Sequence, residues 1–362
     1  MTLRARLKRL SHLLVWVVAA LGLSGCAQVG AQVGYYWQSA TGHLGLLNAA
    51  RPVSDWLADP ATPPELRERL ALSQTLRDYA SRELALPDNA SYRRYADLKR
   101  SAAVWNVVAT RELSLELKRW CLLVVGCVGY RGYFDRAEAD TLAAQLRAEG
   151  WETYVYAVPA YSTLGKLPGR WFADPLLNTF IRDGDVALAR LMFHELSHQV
   201  AYADGDTVFN ESFATAVERI GSAQWLRGAG REALLAEAAA QDRRREDFRA
   251  LTQSARAELL ALYASSVPDD DKRRGKAEIL ARLRAAYAEL KSGAWGGYAG
   301  YDRWFASAGN PQLAILGAYN DRVGDFERLF GRVGRDWPRF HAEVRRLADL
   351  PKAERDAALA LR

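Results

Sequence analysis

Two histidines four residues apart, with a glutamate directly after the first, form the part of the chain best suited to chemistry. They are His194, Glu195 and His198, in the stretch His-Glu-Leu-Ser-His. On a helix, residues four apart project side by side, so both imidazoles can reach one metal ion. Glu195 projects beside them, where its carboxylate can accept a proton from the attacking water instead of binding the metal. This division of roles is the one that a metal-dependent hydrolase needs.

A catalytic zinc site takes three protein ligands, so the chain must supply one more. The candidate is Glu211, in the stretch Asn-Glu-Ser-Phe-Ala that begins at Asn210. The sequence predicts a first helix that begins at Asp185 and ends at Gly205, and a second helix that Thr207 caps. The turn between them is short enough to fold the second helix back, which could bring the Glu211 carboxylate to the two imidazoles.

Three further titratable side chains have open or minor roles. Glu218 lies two helical turns beyond Glu211, and two interpretations are open: it accepts a hydrogen bond from a ligand histidine, as such sites usually require, or it is a surface carboxylate. His43 is expected to be a packed or capping residue. His341, in a basic C-terminal helix, is expected at the surface.

The two motifs together resemble those of the gluzincins, the zinc peptidases that include thermolysin and the aminopeptidase N-like enzymes. The resemblance rests on His194-Glu-Leu-Ser-His198 and on the Asn-Glu-Ser-Phe-Ala stretch around Glu211. It implies that His194, His198 and Glu211 bind Zn²⁺ and that Glu195 is the general base. It also implies a gluzincin-like fold of the α+β class, predominantly α.

A closer resemblance links most of the mature chain to a bacterial family of predicted aminopeptidases with lipoprotein signals. It extends to the stretches Tyr130–Phe134 and Ala160–Leu164. Two departures from the aminopeptidase N-like pattern stand out. The linker from His198 to Glu211 is shorter, and the amine-binding motif Gly-x-Met-Glu-Asn is absent from a chain that has only two methionines. The metal chemistry is therefore better supported than the exopeptidase activity.

The N-terminus has the pattern of an export signal. Four basic residues precede the apolar run Leu13–Gly22, which is too short for a comfortable membrane span and is followed by Leu-Ser-Gly-Cys26. This pattern resembles a bacterial lipobox, and a retained signal anchor is the alternative. We therefore expect residues 1–25 to be a signal peptide and Cys26 to carry a lipid anchor in the membrane. Ala27, by the bacterial rule that the resemblance implies, favours the outer membrane and its periplasmic face.

The charge of the chain gives little support to a nucleic-acid partner. Loss of the four basic residues ahead of Cys26 lowers the formal net charge from +6 to +2. The basic residues that remain are interleaved with acidic ones on predicted helices, which is typical of a solvated surface.

Once Cys26 is lipidated, Cys121 and Cys127 remain as one candidate disulfide pair. On a straight strand they would lie about 20 Å apart, so a bond requires the chain to turn near Gly126. A disulfide would suit an oxidising compartment. The alternative is two buried free thiols, and the sequence leaves both open.

Residues 26–362 are predicted to form one aminopeptidase-like domain, in which a small sheet at about 103–161 precedes metal-binding helices at about 185–220. The helical part at about 221–362 follows. The predicted strands are Ala103–Thr110, Trp120–Val125 and Thr153–Val158, and a helix is expected at Arg136–Glu149. The predicted C-terminal helices are Ala233–Leu262, Arg273–Leu290, Pro311–Phe330 and Trp337–Leu347. The loop Gly293–Tyr301 suits either a lid or a turn with packed aromatic side chains.

The resemblance assigns the substrate cleft to the edge of this sheet. In gluzincins the edge strand pairs with the substrate backbone, which implies this role for residues 153–163 and their Tyr161-Ser162-Thr163 end. A plain sheet with a polar loop is the alternative. Three further residues either shape the cleft or only pack: Tyr130, Arg131 and Tyr133. The candidates for a hydrogen bond to the tetrahedral intermediate are Tyr298, Tyr301 and Tyr319.

The sequence as a whole predicts a zinc-dependent peptidase that hydrolyses peptide substrates, with an aminopeptidase preferred. A zinc endopeptidase of the cell envelope and a non-catalytic peptide-binding lipoprotein are the alternatives. Glu195 argues against the last of these, because a binding module has no use for a base beside the metal.

Overall fold

The structure is a computed structural model that describes residues 33–122, 126–160, 170–318 and 322–360. The chain divides into two compact units, Met1–Asn48 and Ala49–Arg362. The described part of the first unit is residues 33–48, which lie in helix α1 (residues 33–49). The predicted signal peptide and Cys26 lie outside the described residues.

Helices dominate the second unit. In chain order they are α2 (Val53–Ala58), α3 (Pro64–Arg82), α4 (Arg136–Ala148), α5 (Asp185–Ser197), α6 (Thr207–Gly228), α7 (Ala233–Ala264), α8 (Asp269–Ser292), α9 (Asp302–Ser307), α10 (Asn310–Ile315), α11 (Val323–Arg332), α12 (Trp337–Ala348) and α13 (Lys352–Ala360). The prediction of an α+β, predominantly α, class is confirmed. Among the described helices, none is long and apolar enough to cross a membrane.

The strands are short, and the described ones form small sheets. They are β1 (Arg51–Pro52), β2 (Arg94–Ala96), β3 (Val104–Thr110), β4 (Trp120–Leu122), β5 (Gly126–Val128), β6 (Arg131–Tyr133), β7 (Glu152–Val158) and β8 (Leu176–Leu177). One sheet has the order β1-β2-β8, in which β2 pairs antiparallel with β1 and parallel with β8. The other has the order β6-β3-β7 and is antiparallel throughout. Strands β4 and β5 form a hairpin.

The β6-β3-β7 sheet forms where the sequence favours strands. The run Val107-Val108-Ala109 in β3 is fully buried, as expected for a central strand covered on both faces. Helix α4 packs against β3 and β7. Asp135 caps α4 by accepting hydrogen bonds from the N–H groups of Ala137 and Glu138, and Gly150 follows the helix with a left-handed φ of +79°.

The β4–β5 hairpin brings the two remaining cysteines together. Cys121 pairs with Cys127 in the strand register, and a disulfide joins them across a Cα–Cα distance of 3.8 Å. Gly126 has a φ of +71°, at the point where the disulfide alternative required a turn. Residues 123–125, the predicted end of this strand, lie outside the described residues.

The prediction of one helix at Pro311–Phe330 is wrong. Helix α10 ends at Ile315 and a 3₁₀ turn follows at Leu316–Ala318, whereas α11 begins only at Val323. Gly317 lies directly against the guanidinium of Arg256, where an added Cβ would overlap it. The tight turn at this contact interrupts the single helix that the apolar spacing predicted.

Helices α7 and α8 pack together and share an apolar cluster with the predicted glycine-rich loop. In that loop Trp295 is buried, and its indole N–H donates a hydrogen bond to Asp247 at 2.9 Å. Tyr301 stacks on Phe248 with ring centroids 4.7 Å apart. These aromatic side chains are packed, as the interpretation of the loop as a turn expects. A movement of the loop as a lid stays a prediction.

Candidate metal centre

Helix α5 carries both histidines of the first motif, and charged groups fix its N-terminus. Asp185 is its first residue, where the helix dipole favours a negative charge, and it forms ion pairs with Arg69 and Arg231. The apolar face of α5 is almost fully buried and contains Val186, Leu188, Ala189, Met192, Phe193 and Leu196. These contacts anchor the helix that positions both imidazoles.

Helix α5 ends earlier than the sequence predicted. Its last residue is Ser197, and His198 is the C-cap. The next two peptide groups bond three residues back, since Gln199 N–H reaches the Leu196 carbonyl at 3.2 Å and Val200 N–H reaches the Ser197 carbonyl at 2.9 Å. This turn is tighter than an α-helix, but His198 still lies one turn beyond His194.

Helix α6, which carries Glu211, is capped by Asp206 and not by Thr207 as predicted. The Asp206 carboxylate accepts a hydrogen bond from Phe209 N–H at 3.1 Å. It is buried and also accepts hydrogen bonds from Arg355 at 2.9 Å and from Lys352 at 3.1 Å. Aspartate is the stronger capping residue of the two, and the C-terminal helix α13 holds it in place.

Asn210 fixes the connection between α5 and α6. Its side chain is 2% exposed and makes two hydrogen bonds with the backbone of Ala203. The Ala203 N–H donates to Asn210 Oδ1 at 2.8 Å, and Asn210 Nδ2 donates to the Ala203 carbonyl at 2.9 Å. This amide bridge ties the first turn of α6 to the loop ahead of it. The next residue, Glu211, then faces the end of α5.

A glycine allows close packing beside the two metal-site helices. Gly221 of α6 lies against Phe193 of α5 and against Leu84. An added Cβ would lie 2.6 Å from Leu84 Cδ1 and 3.2 Å from Phe193 Cδ2. The side chains of Leu84 and Phe193 would have to shift to admit a larger residue, so the glycine allows this close approach.

His194, His198 and Glu211 converge with distances that suit a divalent cation. The two histidine Nε2 atoms lie 3.2 Å apart. The Glu211 carboxylate places Oε2 at 3.3 Å from Nε2 of His194 and Oε1 at 3.7 Å from Nε2 of His198. Two ligands of a tetrahedral zinc ion, each about 2.0 to 2.1 Å from the metal, lie about 3.3 Å apart. These three residues could hold a metal ion.

The protonation of the site shows that it favours a positive charge. Burial lowers the pKa of His194, but its hydrogen bonds to Glu211 and Glu218 outweigh burial and raise the pKa to about 10. Burial and the charge of His194 lower the pKa of His198 to about 4. Burial acts to raise the pKa of Glu211, yet the contact with His194 holds it below its ordinary value. The carboxylates of Glu211 and Glu218 therefore favour a positive charge on His194, and the same negative charges would stabilise a bound cation.

Glu218 is a partner of His194 and not a surface carboxylate. Its side chain is 9% exposed, and Oε2 lies 3.0 Å from Nδ1 of His194. Its other oxygen accepts a hydrogen bond from Arg245 at 2.7 Å. Burial acts to raise the pKa of Glu218, but His194, Arg245 and Arg190 together lower it. Of the two sequence interpretations, the structure therefore supports the acceptor role. Such a contact orients a ligand imidazole.

Glu195 lies half-buried on α5 next to His194. Its negative charge adds to the effects of Glu211 and Glu218 that favour protonated His194. Burial raises the pKa of Tyr92 well above its usual value, and the charge of Glu195 adds to that rise. Tyr92 is therefore a buried neighbour of the predicted base that the sequence did not point out.

Tyr202 is another side chain beside the site that sequence reasoning missed. It lies on the connection between α5 and α6 and is exposed over 40% of its surface. Burial of its phenol raises its pKa, and the charges of Asp204 and Glu211 add to this effect. Its position four residues after His198, one helical turn beyond the second imidazole, was the signal in the sequence that could have pointed to it.

Of the predicted tyrosine donors, Tyr298 and Tyr301 pack against helix α7, and their role stays a prediction. Tyr301 packs in the aromatic cluster of α7, and Arg244 lies over the ring of Tyr298 at 4.2 Å. Tyr319 and the Tyr161-Ser162-Thr163 stretch lie outside the described residues. Tyr130 is exposed and Tyr133 is buried beside β3, so a role for either in the cleft stays a prediction.

The prediction of a surface position for His341 is wrong. Its side chain is 2% exposed, and Nε2 lies 2.8 Å from the Leu84 carbonyl. Burial lowers its pKa to about 4. The residue shares the apolar face of α12 with Trp337 and Phe340, whereas the arginines that suggested a surface lie on the other side.

The comparison with known families decides where the chain belongs. A family model described as "Putative aminopeptidase" matches residues 34–359. The chain belongs to this aminopeptidase family. No curated protein and no solved structure shows a significant match. The family name suggests a peptidase, and a peptidase acts on peptide substrates. Both motifs lie within the matched residues.

Proposed function

We propose that this member of the aminopeptidase family is a zinc-dependent aminopeptidase with a gluzincin-like site. The observation that carries the proposal is the convergence of His194, His198 and Glu211, whose nearest donor atoms lie 3.2 to 3.7 Å apart. The donor set is two imidazole nitrogens and one carboxylate, which is the ligand set of catalytic zinc in thermolysin-type sites.

Zinc is the metal that best suits these ligands. A closed structural site uses four protein ligands, whereas three leave room for water and substrate. The hydrogen bond between Glu218 and Nδ1 of His194 leaves Nε2 of that ring as the metal-binding nitrogen. Imidazole also binds cobalt and other divalent ions. We propose zinc because two histidines and one glutamate are a ligand set typical of catalytic zinc.

The residues of the chain divide the remaining work. When bound, a divalent cation supplies Lewis-acid chemistry, since it polarises the scissile carbonyl and acidifies water. Glu195 accepts the proton of the attacking water and returns it to the leaving amine. Glu218 keeps the His194 ring in one orientation, and Asn210 keeps Glu211 at the end of α5.

The substrate backbone is proposed to lie along the sheet edge. Strand β7 is an edge strand of the described β6-β3-β7 sheet, and its outer hydrogen-bonding side can accept another strand. This agrees with the role that the gluzincin resemblance implies for residues 153–163.

We also propose that the protein acts in the bacterial envelope. The lipobox-like sequence supports lipidation of Cys26 after removal of residues 1–25, with the periplasmic face of the outer membrane as the site of action. The Cys121–Cys127 disulfide agrees with an oxidising compartment.

The experiment that tests the function compares peptide substrates with free and N-acetylated N-termini. The purified full-length protein, loaded with zinc, is expected to release single N-terminal residues from the free peptides and to leave the acetylated peptides intact. A chelator should abolish the activity, and zinc should restore it. Equal cleavage of both peptide sets would identify an endopeptidase, and no cleavage by zinc-loaded protein would contradict the proposal.

A further inference from the structure

A line of buried or half-buried polar contacts leads away from the metal centre toward helix α7. It begins at Nδ1 of His194, which contacts Oε2 of Glu218 at 3.0 Å. It continues from Oε1 of Glu218 to Nη1 of Arg245 at 2.7 Å. The two carboxylate oxygens of Glu218 are thus used in opposite directions, one toward the ligand imidazole and one toward α7.

Arg245 is well suited to fix the direction of the Glu218 carboxylate. A glutamate with one contact can rotate about its terminal torsion, which is broad, but a second contact on the other oxygen restricts that rotation. The side chain of Arg245 is 45% exposed, whereas that of Glu218 is 9% exposed. Arg245 therefore extends from the surface of α7 to the buried Glu218 carboxylate and lies between that carboxylate and the solvent.

A second arginine, Arg190, links α7 directly to α5, one of the two metal-site helices. Arg190 lies one helical turn before His194 on α5 and is 3% exposed. Its Nη2 donates a hydrogen bond to Asp242 of α7 at 2.8 Å. Asp242 and Arg245 are three residues apart and share one face of α7. The Arg190–Asp242 pair thus locates the helix from which Arg245 acts.

We propose that Arg245 is a positioning residue that holds Glu218 against His194 and thereby strengthens the binding of a divalent cation at the metal centre. The inference rests on the metal site of the proposed function and adds a residue outside both motifs. Arg245 is outside the group of three residues that could hold a metal ion. It acts only through Glu218 and the orientation of the His194 ring.

The positioning role and a simple charge effect predict opposite results. Arg245 carries a positive charge near a cation site, so its removal by charge alone would make cation binding tighter. If Arg245 positions Glu218, its removal lets the carboxylate turn away, and cation binding becomes weaker. The sign of the change in affinity therefore separates the two.

The experiment measures Zn²⁺ affinity by chelator competition on the purified full-length protein, using native, Arg245→Met, Arg245→Lys and Arg243→Met forms. Arg243 is exposed on the same helix and provides a control for the loss of one positive charge. Arg245→Met is expected to weaken Zn²⁺ binding about threefold to tenfold, less than loss of a direct partner of the ligand. Arg245→Lys should stay near the native affinity, because an ammonium can make the single contact.

Two further readouts separate positioning from a loss of stability. The melting temperature of metal-free Arg245→Met should stay close to native, because nearly half of the Arg245 side chain is exposed. The rise in melting temperature on adding Zn²⁺ should be smaller than for native protein. Affinity in Arg245→Met equal to or tighter than in Arg243→Met would overturn the proposal, as would an Arg245→Lys form as weak as Arg245→Met. These results do not depend on peptide hydrolysis, so failure of the proposed enzyme activity would be seen separately.

Discussion

The Nε2 atoms of His194 and His198 face each other at 3.2 Å, and the planes of their rings are 83° apart. Two neutral imidazole nitrogens with lone pairs directed at each other repel, so the pair needs a proton or a cation between them. Glu211 approaches the same point from α6. A divalent cation would satisfy all three groups at once, and the predictions below follow from this arrangement.

Replacement of Glu195 by glutamine should separate metal binding from turnover. The amide keeps the size of the side chain but cannot accept the proton of the attacking water. We expect unchanged zinc content and a loss of kcat of about 10²- to 10⁴-fold, the usual contribution of a general base. Glu237→Gln, on the exposed side of α7, is the matched control. Native turnover in Glu195→Gln would remove the proposed base.

Replacement of Glu211 by alanine should remove one of three ligands. At a free zinc concentration that just fills the native site, we expect occupancy of about a tenth or less, since even partners outside the ligand set change affinity 10- to 100-fold. Elemental analysis of the dialysed protein measures this. Full occupancy in the variant would mean that another residue provides the third ligand.

Replacement of Asn210 by alanine should destabilise the fold around the site. The change leaves the N–H and carbonyl of Ala203 without the amide that they contact at 2.8 and 2.9 Å. We expect the free energy of unfolding to fall by about 2 to 4 kcal/mol, in the range for unsatisfied buried polar groups. Urea denaturation measures it, with the exposed Gln145→Ala as control. A change no larger than that of the control would show that the bridge is unimportant.

His341 should make the fold sensitive to mild acid. Its pKa is about 4 in the folded protein, against 6.5 for an unperturbed histidine. Below pH 6.5 the unfolded chain binds a proton that the folded protein excludes. The free energy of unfolding therefore falls as the pH is lowered from 6.5 toward 4. The contribution is on the order of 3 kcal/mol over this window.

The test is urea denaturation of metal-free native protein and of His341→Gln at pH 7, 5.5 and 4.5. The glutamine amide can still donate to the Leu84 carbonyl but does not titrate. We expect a smaller loss of stability with acid in the variant. Identical pH profiles would show that His341 does not control this response.

Local sequence patterns predicted the elements whose causes are local. The β-branched run of β3, the helix predicted at Arg136–Glu149 and the His-x-x-x-His spacing depend on neighbours within a few residues. Strand β3 and helix α4 formed near their predicted bounds, whereas α5 began where predicted and ended eight residues early, at Ser197. The apolar spacing of α12 was also visible, but the interleaved Arg339, Arg345 and Arg346 led to the wrong position for His341.

Local patterns left the role of Glu218 open between two interpretations and gave no sign of its contact with Arg245. Glu218 meets His194 from 24 residues away, and Arg245 meets Glu218 from 27 residues away. Such pairs arise only when α5, α6 and α7 pack, and surface arginines on a helix give the same sequence pattern whether or not one of them reaches inward. The cap by Asp206 was missed for a related reason, because its arginine and lysine partners lie on α13.

The most direct test of the metal centre is a crystal structure of the zinc-loaded protein with anomalous data at the zinc edge. The account predicts one strong peak at about 2.0 to 2.2 Å from Nε2 of His194, Nε2 of His198 and an oxygen of Glu211. A zinc-loaded structure in which the Glu211 carboxylate points away from both imidazoles, or in which the peak lies at other residues, would contradict it.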